Sequence, residues 1–298
     1  MPHFIKILIL FLILIANIQH IALADEKLHY QATYKGVLSL FQKLNIADVW
    51  YNSESVDISG NNDSLQRISL SVSSENFSMV ERLSPFRYRF QSFFSPESSN
   101  TWLFENLRVT KNGKKIKHKV GLFDLKRLQV KQYKGSHKKL VITPELIRQV
   151  FSTSDYQALI QRLELKASAK PLLDLDSMPV DRLTLLQLIT NQVRKTESSK
   201  QYVITDGDEL MTYQLQLGKQ ELIQLDKKHI KATKVKIEAF ELPSIDGGSG
   251  GIAEEDNPAD ENLADLSPDE KKVYRHPPVY VWFSADERCV PLRFVNHH

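Results

Sequence analysis

Cysteine is almost missing from this chain: Cys289 is the only one among 298 residues. That excludes a disulfide framework and any zinc site of cysteine–histidine spacing. Val290 and Pro291 after it read as the start of a strand, which places the thiol in a core rather than on a reactive surface. Long apolar runs are missing as well. The run from Ile7 to Ala16 is ten residues, about half of the roughly 20 that a membrane-crossing helix needs. The nine histidines include no H-E-x-x-H pair, and no G-x-S-x-G nucleophile elbow occurs, so neither metal-assisted nor serine hydrolysis has its usual pattern. We expect no bound metal, no cofactor and no enzymatic activity.

What the chain does have at its start is export chemistry. Lys6 precedes the ten-residue run, polar Asn17, Gln19 and His20 end it, and Ala22-Leu23-Ala24 supplies a small-x-small cleavage site. This order reads as a secretory signal peptide over residues 1–24. The expected product is one soluble domain over residues 25–298 in the periplasm. Losing Lys6 leaves 38 Lys+Arg against 36 Asp+Glu, but nine of those acids lie between Asp246 and Glu270. The rest of the mature chain therefore carries 38 bases against 27 acids, a body that favours an anionic membrane surface as partner.

Alternation of period two recurs along the sequence, in Ile68 to Ser73, Phe86 to Gln91, Tyr213 to Leu217, Lys234 to Ile237, Val279 to Phe283 and Pro291 to Val295. Such runs are strands of a sheet buried on one face. Asn112-Gly113 has the signature of a tight hairpin turn, and Gly218-Lys219 is expected to turn its strand back. Helices are expected from Thr143-Pro144 onward, over Ser154 to Lys166, and from just after Met178-Pro179 to Lys195; the last is apolar nearly all round and belongs inside. Asn52 to Ser64 reads as a loop, and so does the Gly-rich acidic stretch at 246–272, whose composition is that of a disordered segment. The fold class expected is mainly β with added helices: a curved antiparallel sheet, or half-open barrel, wrapped around central helices.

The order of these pieces resembles the domain-of-unknown-function 3108 family of secreted Gram-negative envelope proteins. The resemblance rests on Tyr30 to Gly36, Asp181-Arg182-Leu183-Thr184-Leu185-Leu186-Gln187-Leu188, the Tyr213 to Leu217 run with Gly218 and Glu221-Leu222, and Val281-Trp282-Phe283-Ser284-Ala285-Asp286 followed by Val290-Pro291-Leu292-Arg293. It spans nearly all the mature chain. It implies a half-open barrel similar to periplasmic lipoprotein carriers, with no established activity and no catalytic residues to transfer. The acidic stretch departs from the family pattern.

Two sets of side chains are candidates for binding. Trp50, Tyr88, Phe90, Tyr213 and Trp282 stand at alternating positions and are expected to line an apolar ligand cavity, unless they simply fill the core. Lys114, Lys115, Lys117 and Lys119 follow the Asn112-Gly113 turn, the last three on one strand face, where they would meet anionic head groups or protect an edge strand. Export makes nucleic acid an improbable partner for that ribbon. Asp181-Arg182 reads as a helix cap with an ion pair, and Asp286-Glu287-Arg288 as a solvated hairpin tip. The leading expectation is a module that binds a lipid or other apolar ligand; the alternative is an envelope scaffold that docks proteins through its charged surface.

Overall fold

The computed structural model describes residues 13–16, 26–34, 44–57, 64–110, 113, 115–135, 142–153, 156–167, 177–205, 210–225, 227–241 and 277–296. The cleavage site near Ala24, Lys114 and the acidic stretch at 246–272 lie outside them. The protein is mainly β. In chain order the strands are β1 (Ile13–Ala16), β2 (Glu26–Tyr34), β3 (Leu44–Asp57), β4 (Ser64–Ser73), β5 (Phe86–Phe94), β6 (Thr101–Thr110), β7 (Lys115–Asp124), β8 (Gln129–Gly135), β9 (Lys166–Ala167), β10 (Ser199–Thr205), β11 (Leu210–Leu225), β12 (Lys228–Glu241), β13 (Val279–Ser284) and β14 (Pro291–Asn296). The helices are α1 (Ser78–Leu83), α2 (Pro144–Thr153), α3 (Tyr156–Arg162) and α4 (Arg182–Lys195).

Strands β2 to β9 form one antiparallel meander and β10 to β14 another, and the short β1, which falls within the expected signal peptide, lies between β2 and β14 in the full chain. Side chains hold the same seam: the Tyr30 hydroxyl donates to the Pro291 carbonyl at 2.7 Å, and Leu28 packs on the cluster of Trp282, Val290 and Leu292. The order starts at β10 and ends at β9, so the described strands do not close into a barrel.

Residues directly opposite each other in an antiparallel pair share a face, so register sorts the side chains. Ser53, Ile68, Ser92, Phe104, Gly121 and Gln132 form one cross-strand row, and α4 covers that face. Asp181 caps α4 and ties it down. Its Oδ1 accepts from the Leu183 and Thr184 amides, and its Oδ2 accepts from the hydroxyls of Ser92 (2.6 Å), Thr101 (3.0 Å) and Thr184 (2.6 Å). From there α4 crosses to the second sheet, where Leu185, Ile189 and Val193 pack on Ile204, Leu215, Val235 and Phe283. One helix thus packs on the inner faces of both sheets.

The three helical segments do not share a side. Helices α2 and α3 pack on the outer face: Ile142, Leu146, Ile147, Val150 and Leu159 cluster with Val56, Leu65, Phe93, Leu103 and Val120. Of the three expected helices only α4 is central, and α2 and α3 lie on the opposite side of the sheet. The odd-numbered residues of β5 are as apolar near Phe93 as the even-numbered ones, and so recruit a cover of their own.

Other departures have equally local causes. Asn52 to Asp57 continues β3, with Val56 fully buried opposite Leu65. Gly218-Lys219 is a bulge inside the 16-residue β11, not a reversal, because pairing with β12 resumes at Gln220 opposite Thr233. Among the described residues the second helix spans Tyr156–Arg162 and stops short of Lys166, where Lys166–Ala167 adds a short strand to β8.

Candidate ligand face

Two further rows on the inner face of the larger sheet run from a core that Leu183 and Leu186 of α4 pack on out to basic side chains at the surface. The first runs Tyr30, Val49, Val72, Tyr88, Arg108, Lys117, and the second runs Leu28, Tyr51, Leu70, Phe90, Asn106, Lys119, Lys134. In both, the members on β2 to β5 are apolar or aromatic and those on β6 to β8 are polar or basic. Phe86, Thr110 and Lys115 continue the pattern at the next level. Strands lie about 4.8 Å apart, so an aromatic shelf meets a cationic shelf within two strand spacings.

The shelves also touch. The Arg108 guanidinium lies over the Phe90 ring at 5.6 Å, and Phe86 stacks on Tyr88 with ring centroids 5.1 Å apart. Burial pushes the Tyr88 phenol above its ordinary value while the Arg108 charge pulls the other way. The phenol stays neutral at physiological pH and offers a hydroxyl, not an anion. Partly buried Leu28, Tyr34, Leu44, Leu70 and Val72 border the buried aromatics. The aromatics themselves are core, 7–9% exposed at Phe86, Tyr88 and Phe90, so what this face offers a ligand is the partly buried Leu70 and Val72 beside the basic side chains of β6 to β8.

The five aromatics expected to line one cavity do not converge. Tyr88 and Phe90 belong to the face just described, but both are buried in its core, as Tyr213 is on the second sheet. Tyr213 sits on the second sheet among the side chains that α4 covers, and is core. Trp50 and Trp282 point outward. Trp50 is 40% exposed and stacks on His29 at 5.2 Å. Trp282 is flattened between Lys234 and Arg293, each 5.1 Å from a ring centroid, and its indole N–H donates to Glu221. Strand parity is the reason: Trp282 alternates with Val281 and Phe283, which take the inner side.

The lysines fall as expected on one face of β7, with Lys115 and Lys117 exposed and Lys119 half-buried. Sequence reasoning missed that this is also the face of Tyr88 and Phe90. It missed Arg108 and Lys134 too; the alternation of Asn106, Arg108 and Thr110 was the available signal. The remaining candidates are structural. Asp181 is buried under α4, and Asp286 pairs with Arg288 at the last hairpin. Cys289 is buried with its Sγ 3.7 Å from the Thr190 carbonyl, in a left-handed backbone (φ 52°) rather than in a strand.

On the outer face, Glu105 is fully buried and His118 nearly so, joined Nε2 to Oε1 at 2.7 Å. Gln91 donates to Glu105 and to the Ile142 carbonyl, and Arg67 donates to Gln91 and Glu54. This network closes on itself beneath α2. Among the described residues, no three His, Cys, Asp or Glu side chains come together to hold a metal ion, and no helix is long and apolar enough to cross a membrane. Compared with protein-family models, curated proteins and solved structures, the chain finds no match.

Proposed function

We propose that the protein is a non-enzymatic periplasmic carrier or binding module for an amphiphilic anion, of which a phospholipid is the simplest example. The observation that carries this reading is the pair of cross-strand rows on one face: Val72-Tyr88-Arg108-Lys117 and Leu70-Phe90-Asn106-Lys119. Apolar surface contributes about 25 cal/mol per Å² removed from water, so an acyl chain lodged on the partly buried Leu70 and Val72 at the edge of the aromatic core supplies affinity. The basic shelf supplies orientation and selects for negative charge. The unclosed strand order and the exposed basic ends of the rows suit a half-open barrel of the lipoprotein-carrier kind. Membership of the domain-of-unknown-function 3108 family is proposed with it, on the motifs quoted above.

The test is native mass spectrometry of protein purified gently and then incubated with phosphatidylglycerol in detergent. Bound lipid of defined mass is expected. The double reversal K117E/K119E should weaken loading by one to two orders of magnitude, because each basic residue near an anionic lipid surface contributes about 1 kcal/mol. Trp50→Phe, on the outer face, should load normally. Absence of lipid from the wild-type protein under these conditions would sink the proposal.

A further inference from the structure

The end of the inner face farthest from the α4 cap is formed by α1, between β4 and β5, and by the strand ends at Thr110 and Lys115. Phe86 at this lip is six residues along β5 from Ser92, which receives α4, and at about 3.4 Å per residue that is some 20 Å. Helix α1 is only six residues long, yet it is held firmly. Glu81 accepts from both Arg87 nitrogens, at 2.7 and 3.1 Å, and from the Ser74 hydroxyl. Ser74 in turn exchanges hydrogen bonds with the Phe86 backbone, and Val80 packs onto the inner-face core.

This anchorage fixes two large apolar side chains in water. Met79 is 50% exposed and Leu83 is 73% exposed. They stand four residues apart, on one side of the helix. Single exposed apolar residues are ordinary, but a pair presented by a pinned helix is a patch with a purpose. Its surroundings are cationic on balance: Arg82 is exposed on the same helix, Lys115 is exposed at the lip and Lys117 one pairing level in, while the acids Glu75 and Glu81 are both paired with Arg87. Exposed apolar side chains with lysine and arginine on the same end match the surface of an anionic bilayer.

We propose that this lip is a membrane-docking surface, with Met79 and Leu83 entering the head-group region of an anionic bilayer while Arg82, Lys115 and Lys117 contact its phosphates. The proposal rests on the lipid reading, since docking here places the end of the apolar rows that α1 covers against the source of the ligand. It shares Lys117 with that reading and otherwise needs Met79, Leu83, Arg82 and Lys115, which the carrier does not.

Vesicles of phosphatidylcholine with phosphatidylglycerol, sedimented with the purified protein, test it. Wild type should bind, M79D/L83D should bind at least about tenfold more weakly, and M79S/L83S should be intermediate. Both variants should keep the wild-type melting temperature and the detergent-phase loading of phosphatidylglycerol. Wild-type binding by M79D/L83D, or no vesicle binding by the wild type, would overturn the docking surface. Vesicle binding that depends on Met79 and Leu83 in a protein that never retains lipid would support the docking surface and remove the carrier reading.

Discussion

Asp181 is the residue on which the architecture turns. Its carboxylate caps α4 and receives hydroxyls from Ser92 on β5 and Thr101 on β6, so one buried side chain fixes where the central helix begins and which rows it covers. Replacing an N-cap by alanine costs about 1 kcal/mol, and losing hydrogen bonds to a buried charge adds roughly 1.5–3 kcal/mol. Asp181→Ala should therefore lower stability by about 3 kcal/mol, a fall on the order of 10 °C in melting temperature for a domain this large. Asp181→Asn should lose less, since its amide oxygen still accepts from the Leu183 amide. Thermal unfolding followed by circular dichroism checks both. A fall under about 3 °C for the alanine variant would mean that the Ser92, Thr101 and Thr184 hydroxyls satisfy one another without the acid. Those three oxygens lie 2.9 to 3.0 Å apart in two of their pairings, so the alanine variant measures the charge and the cap rather than an orphaned hydroxyl.

At the scale of elements, close approach rather than propensity decides the packing of β6 against β7. Gly121 stands opposite Phe104, whose ring lies over it so closely that an added Cβ would be 2.1 Å from Phe104 Cε1. Gly121→Ala must displace the ring from Phe123 and Val130, and overpacking of this kind costs about 1–3 kcal/mol. The double change Gly121→Ala with Phe104→Leu should recover part of that loss in a melting experiment, and no recovery would place the strain elsewhere. Nothing in the Lys119-Val120-Gly121-Leu122 run announces this contact, because it depends on register. The strands themselves were legible, since Ile68 to Ser73 and Phe86 to Gln91 alternate plainly and alternation is a local property. Which side a helix takes was not: α2 and α4 both show an apolar stripe, and a stripe says that a face is buried without saying against which side of the sheet. The candidate face was legible in halves for the same reason. Tyr88 and Phe90 were readable on one strand and Lys117 and Lys119 on another, but their common face exists only through Arg108 and Asn106 between them. Trp282 shows the converse failure. Its alternation is sound, yet parity sends it outward to Lys234 and Arg293, where an aromatic ring serves two cations instead of a ligand.

At the scale of the whole molecule, the question is whether the acidic stretch at 246–272 belongs to the fold or to its charge. Strands β12 and β13 pair directly from Ile237 with Val279 to Ala232 with Ser284, so the chain leaving β12 and the chain entering β13 begin side by side. A short turn can close that gap. Closing a flexible loop costs only about 0.6 kcal/mol for each doubling of its length, so replacing residues 246–272 by a brief Gly-Ser turn should leave the melting temperature unchanged or slightly raised. Its effect on binding should be larger. From Asp246 to Glu270 it carries nine acids and no base, against 38 bases and 27 acids in the rest of the mature chain, and at low salt such a tether competes with an anionic bilayer for the lysines and arginines. Screening over a Debye length of about 10 Å at 0.1 M salt removes most of that competition. The shortened protein should therefore bind phosphatidylglycerol vesicles more tightly than the full chain at about 0.01 M salt, where the Debye length is about 30 Å, and the two should converge near 0.1 M and above. Vesicle sedimentation across a salt series, run beside a thermal melt, separates the outcomes. A melting temperature lowered by more than about 4 °C would make the stretch part of the fold, and identical binding curves at low salt would end its role as an electrostatic competitor.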